Sequence, residues 1–166
     1  LITVVEWPTG SGTGDFEREI HGTRTPDSSI EYNPDIATET DIRGITYTDV
    51  NKTQPQQSFD PYKILGGSKL GVKLNDLRRR NALSEFSQFK AYVITAYVGT
   101  TGAYEAERHD GCTITIDSLG GDAYVNMPIT LYFSNNSYDS VTGESTGHPA
   151  YGTVNTLDTT FTFNEG

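Results

Sequence analysis

FKAYVITAYVG, residues 89–99, is the stretch that decides the fold. Both of its alternating sets are largely apolar: Tyr92, Ile94, Ala96 and Val98 on one side, Ala91, Val93 and Tyr97 on the other. Period-two alternation with both sets apolar predicts a central strand covered on both faces. Gly99 to Gly102 then turns the chain. AYEAERHD (103–110) leads into GCTITID (111–117), where Cys112, Ile114 and Ile116 alternate with Thr113 and Thr115. LGGD (119–122) reads as a turn, and MPITLYFSNN (127–136) as another strand with Ile129, Leu131 and Phe133 on one face. Residues 135–152 form a long polar insertion. TLDTTFTF (156–163) closes the chain with Phe161 and Phe163 alternating with Thr160 and Thr162.

Upstream of residue 89 lies the one convincing helix. Leu70, Leu74 and Leu77 have i, i+4, i+7 spacing, and Leu83 and Phe86 continue the apolar stripe after a slip. The spacing predicts a helix over 69–87, kinked at the slip, with Ser68 as its cap after Gly66 and Gly67. NKTQPQQSFDPYK (51–63) has two prolines and no periodicity, so 51–68 is expected to be an interfacial loop. DIRGITYTDV (41–50) alternates Ile45 and Tyr47 against Thr46 and Thr48, a half-buried strand. Residues 6–41 are rich in Gly, Thr, Ser, Pro and acids, with turn compositions at GSGTG (10–14) and TRTPDSS (23–29). Residues 1–40 are therefore expected to be an extended arm with short strand pieces such as ITVV (2–5). The domain proper is expected over 41–166. Many short strands, one helix and polar loops predict a mainly β chain: an antiparallel β-sandwich or barrel with one flanking helix.

The chain has 166 residues and a formal net charge of -10, the size of one domain. One cysteine, Cys112, excludes an internal disulfide framework. With three scattered histidines (His21, His109, His148) no metal-ligand pattern appears, and no metal or cofactor is expected. No apolar run is long enough to cross a bilayer as a helix. The acid excess argues against a binder that neutralises phosphates. Charge is uneven, however. Residues 63–90 carry Lys63, Lys69, Lys73, Arg78, Arg79, Arg80 and Lys90 against only Asp76 and Glu85. A basic segment in an acidic chain is self-complementary, within one subunit or between copies.

Catalytic signatures are missing. GSGTG is not the GxGxxG of a dinucleotide loop, and no GxSxG, HExxH or phosphate-loop motif occurs. Glu105, Glu107, His109 and Asp110 cluster in EAERHD; the reading here is a solvated strand edge, not acid–base machinery. The chain is not expected to be an enzyme. Trp7 has no local core around it and must dock somewhere, and loop tyrosines such as Tyr62 suit interface burial. A carbohydrate-binding β-sandwich, with tyrosines as stacking platforms, is one alternative. A pilin-like or capsid-decorating subunit is another.

The order of elements resembles that of the major tail tube proteins of tailed bacteriophages and phage-like particles. The likeness runs from DIRGITYTDVNKTQPQQSFDPYKI through LNDLRRRNALSEF, FKAYVITAYVG and SLGGD to PITLYFSNN, and spans about residues 31–163. It implies a β-sandwich with one flanking helix that assembles as hexameric rings. The rings stack into a hollow tail tube, whose long loops and arms reach neighbouring subunits. The implied partners are further copies of itself, with tape measure, tail terminator and baseplate or sheath proteins. Genomic DNA would pass without specific binding, no membrane would be involved, and the location would be the virion tail, assembled in the host bacterial cytoplasm. On this reading Trp7, Asp60, Tyr62, Arg78, Arg79 and Arg80 are expected at subunit contacts, the arginines facing carboxylates of a neighbour. Asp117 and Asp122 are expected to line the lumen.

Overall fold

The computed structural model describes residues 1–9, 15–20 and 29–166. Its strands are β1 (Ile2–Pro8), β2 (Phe16–Ile20), β3 (Ile30–Glu31), β4 (Asp35–Thr40), β5 (Thr46–Lys52), β6 (Gln56–Phe59) and β7 (Lys63–Ile64). After the helix α1 (Lys69–Arg80) and a 3-10 helix (Leu83–Ser87) come β8 (Phe89–Thr95), β9 (Tyr104–Ile116), β10 (Val125–Asn126), β11 (Ile129–Tyr132), β12 (Ala150–Val154) and β13 (Phe163–Glu165). The main sheet runs β2-β1-β8-β9-β11-β6-β3, with β12 against β9 and β13 against β12. The fold is mainly β and antiparallel, with one flanking α-helix, as the sequence predicts.

FKAYVITAYVG folds as the central β8. Phe89, Ala91 and Val93 are buried in one core, and Tyr92 and Ile94 in another on the opposite face. The strand ends at Thr95; Tyr97 and Val98 are exposed beyond it. AYEAERHD and GCTITID are a single 13-residue strand, β9. Gly111 makes that continuity possible. Its φ of 74° is left-handed backbone that a side chain disfavours. It sits where the pairing with β8 slips, between Phe89↔Cys112 and Lys90↔Asp110, as a β-bulge. One edge of β9 carries β8; the other carries β11 on residues 113–116 and β12 on residues 104–108.

The sheet curls on itself. Thr3 on β1 donates to the Gln57 side chain on β6 at 2.9 Å, although three strands separate them in sheet order. The concave face holds Val5, Trp7, Phe59, Ile114, Ile129 and Leu131, and Leu70, Leu74 and Leu77 of α1 pack into it. Burying each leucine contributes roughly 1.5–3 kcal/mol. The convex face holds Val4, Tyr92, Ile94, Ala106, Val154 and Phe161. The helix starts where Ser68 accepts from the Gly71 N–H, and the Glu19 carboxylate of β2 accepts from the Leu70 N–H at 2.8 Å. It stops at Arg80 because Asn81 turns left-handed (φ 53°) and its N–H bonds back into the last turn. The predicted stripe is right, but Leu83 and Phe86 belong to the 3-10 helix after that break.

Two expected boundaries are corrected. The first eight residues are not an arm: β1 lies between β2 and β8, with Val4 and Val5 fully buried. Nor is 51–68 a free loop, because Gln57 and Phe59 of β6 are buried in the main sheet. Neither stretch waits for a neighbour to order it. GSGTG (10–14), His21 and most of TRTPDSS lie outside the described residues.

Candidate assembly surface

β4 and β5 form a two-stranded sheet of their own. Every residue of both strands is exposed, so DIRGITYTDV is not the half-buried strand its alternation suggests. One face is a strip of β-branched side chains: Ile36, Thr38 and Thr40 across from Val50, Thr48 and Thr46. The other carries Ala37 and Glu39 across from Asp49 and Tyr47. The tip is held by Asp41, whose carboxylate accepts from the N–H groups of Arg43 (2.8 Å) and Ile45 (3.1 Å). These bonds, that to Ile45 foremost, hold the Asp41 carboxyl below the usual range. Gly44 completes the turn at φ 80°, and Ile42 stands fully exposed at the apex. At the root, the Gln54 N–H donates to Tyr32 O at 2.7 Å, so the hairpin leaves and re-enters the body at one point.

A groove of about 390 Å³ lies on the body between the 3-10 helix and β9. Leu83, Phe86, Ile114 and Ile116 give it an apolar floor, with Thr113, Thr115, Ser87, Asn81 and Arg78 around it. Pairing of β9 with β8 stops at Cys112, so residues 113–116 have β11 on one edge and, among the described residues, no strand on the other, where Thr113 bonds Ser87 of the 3-10 helix at 3.1 Å.

Arg78, Arg79 and Arg80 are all exposed, on the last turn of α1, where cations complement the helix dipole. Among the described residues, Arg80 alone of the three finds carboxylates in its own chain: Asp76 at 2.8 Å and Glu85 at 3.1 Å. Its hydrogen bond is the main reason that the Asp76 carboxyl is held below its ordinary range. Arg78 donates to the Asn75 amide oxygen. Among the described residues no carboxylate lies within ion-pair distance of Arg78 or Arg79.

The other expected contact residues divide. Trp7 is 3 % exposed and meets Phe89 edge-on in the subunit's own core, so it is no interface anchor. Tyr62 is buried as well, its hydroxyl 3.3 Å from Glu19, and burial first, then that carboxylate, pushes the phenol well above its usual value. Trp7 docks on the neighbouring strand β8, and Tyr62, between β6 and β7, reaches Glu19 of β2; local hydrophobicity reveals neither. Asp60 is exposed. Asp117 and Asp122 are exposed beyond the end of β9, and Asp117 accepts from Thr115 and Thr130.

The EAERHD cluster is not a solvated edge. His109 and Asp110 are buried. A ring nitrogen of His109 lies 2.7 Å from Ser134 O, and Asp110 accepts from Arg108 Nε (3.2 Å) and the Tyr138 N–H (2.8 Å). Asp110 also donates its N–H to Asn136 O, and the Ser134 hydroxyl donates to its carbonyl. These bonds tie the polar insertion to β9, and the last part of the insertion becomes β12. Among the described residues no three His, Cys, Asp or Glu side chains converge to hold a metal, and no helix is long and apolar enough to cross a membrane.

Cys112 sits in the concave core, and burial pushes its thiol up to about 11. Because the thiolate is the reactive form, the native chain should resist a thiol-specific colour reagent at neutral pH and react fully once unfolded. Full reaction of the native chain within minutes would contradict this placement.

No family model matches the chain, and no curated protein is significantly similar to it.

Proposed function

We propose that this chain is a structural subunit that assembles with copies of itself into the hollow tail tube of a tailed bacteriophage or phage-like particle. The observation that carries the reading is the β4–β5 hairpin. An isolated two-stranded ribbon is marginal in water, yet this one exposes β-branched side chains on one face and Ile42 at its apex. Such a ribbon gains its stability by docking. Its surface differs from the groove on the body, and contacts between unlike surfaces propagate into rings or filaments instead of closing as a dimer.

Three further features support the reading. The order of elements resembles that of tail tube proteins. The curled sheet and its flanking helix form a body that side-by-side copies can extend. The net charge of -10 suits a wall past which DNA slides, because such a wall should not neutralise phosphates. Asp117 and Asp122, exposed at one end of β9, are the acids proposed to face that path. The role of the chain is then mechanical, with no bond made or broken.

Sedimentation velocity over a wide concentration range tests self-assembly. A boundary that moves from about the 18.2 kDa monomer to discrete larger species as concentration rises is the expected result. A single monomer boundary throughout, in the presence of sonicated assembly fragments from particle lysates, would overturn it.

A further inference from the structure

We propose that the groove between Leu83–Ser87 and the strandless edge of β9 in one copy receives the tip of the β4–β5 hairpin of another copy, with Ile42 as the anchor. The inference rests on the self-assembly reading and names the two surfaces that meet.

Shape, hydrogen bonding and charge point to the same pairing. The groove holds about 390 Å³ over a floor of Leu83, Phe86 and Ile116, room for the side chains of Ile42 and Ile45. Neither residue belongs to a core of its own: Ile42 is fully exposed and Ile45 is 44 % exposed. No hairpin residue lines the groove of its own chain. Among the described residues, 113–116 of β9 have one edge without a strand, bordered by the 3-10 helix through the bond from Thr113 to Ser87, and each strand of the two-stranded ribbon also has a strandless edge. Adding a strand to an open edge pairs backbone groups on both sides. The groove rim carries Arg78, with Arg79 beside it, and both lack a carboxylate partner among the described residues. The hairpin carries Asp35, Glu39, Asp41 and Asp49 against Arg43 and Lys52. An acidic ribbon entering a groove with a basic rim uses the two opposite charge excesses of this chain.

The test uses two full-length variants, Ile42→Asp and Leu83→Asp. Both side chains are exposed in the monomer, so each variant should fold with an unchanged circular dichroism spectrum. Each alone should lose self-association by about thirtyfold or more, the scale of an interface hot spot. Mixed one to one, they should form heterodimers and stop there. The hairpin of Leu83→Asp is intact and so is the groove of Ile42→Asp, which leaves one working contact per pair. A mixture of Ile42→Cys and Leu83→Cys chains should give a disulfide-linked heterodimer on mild oxidation, with the buried Cys112 silent. If the wild type assembles and both aspartate variants assemble equally well, this pairing is wrong while the assembly reading stands. Leu83→Cys homodimers without the heterodimer would place a symmetric copy over the groove and overturn the pairing. If the wild type never assembles and no cross-link forms, both fall together.

Discussion

Replacing Val5 by aspartate should abolish the cooperative unfolding transition of this chain or lower its midpoint by tens of degrees. Val5 is fully buried on the concave face of β1, beside Trp7 and against the helix leucines. A carboxylate there has no partner, and an unpaired buried charge costs several kcal/mol. A domain of this size has about 5–15 kcal/mol in all. Thermal unfolding followed by circular dichroism should show either no transition or one lowered by tens of degrees. Val72→Asp is the control. Val72 is exposed on the outer face of α1, and its replacement should shift the midpoint by a few degrees at most. Equal behaviour of the two variants would mean that β1 is dispensable, and the central place of the first strand would be wrong.

Excising the hairpin has the opposite signature. Replacing residues Asp35–Lys52 with a short Gly-Ser link should leave the fold intact and eliminate assembly. The root is already closed by the bond from Gln54 to Tyr32, and Asn33 donates to Gln54 O. The body therefore meets little new loop entropy. No residue of the hairpin contributes to either core. The expected result is a monomer with a thermal midpoint close to that of the wild type, and no higher species at concentrations where the wild type assembles. Tubes from the shortened chain would remove the hairpin from the mechanism, and an unfolded product would show that it supports the body.

These two outcomes mark what the sequence discloses. The strand at 89–95 and the leucine stripe at 70–77 were legible because their periodicity is strong and their cores are deep. β1 was not. ITVVEWP is short, and it is followed by residues that dilute any average hydrophobicity. Its edges pair with β2 and β8 and its two faces meet α1 and Phe161, all distant in the chain; β8 lies more than eighty positions away. The same reason hides β6, whose Gln57 is polar by type but buried through its bond to Thr3. DIRGITYTDV misleads in the other direction. Its alternation is real, but alternation reports a strand with unlike faces and not which partner covers them. EAERHD reads as solvated because charge usually means exposure; Asp110 instead anchors the backbone of an insertion that begins some twenty-five residues later. Of the candidate contact residues, the arginine run is legible as exposed charge, although Arg80 is matched within the chain by Asp76 and Glu85. Trp7 and Tyr62 read as contact residues and are not, because an aromatic without local company docks as readily within its own subunit as on a neighbour.

Copies of this chain are proposed to build a hollow, repeating assembly. Negative-stain electron microscopy of the purified protein at high concentration tests it most directly. Rings with a stain-filled centre, or tubes formed by stacking them, are expected, and the Ile42→Asp variant should show neither. Solid fibres, or dispersed single subunits under conditions seeded with preformed assemblies, would contradict it.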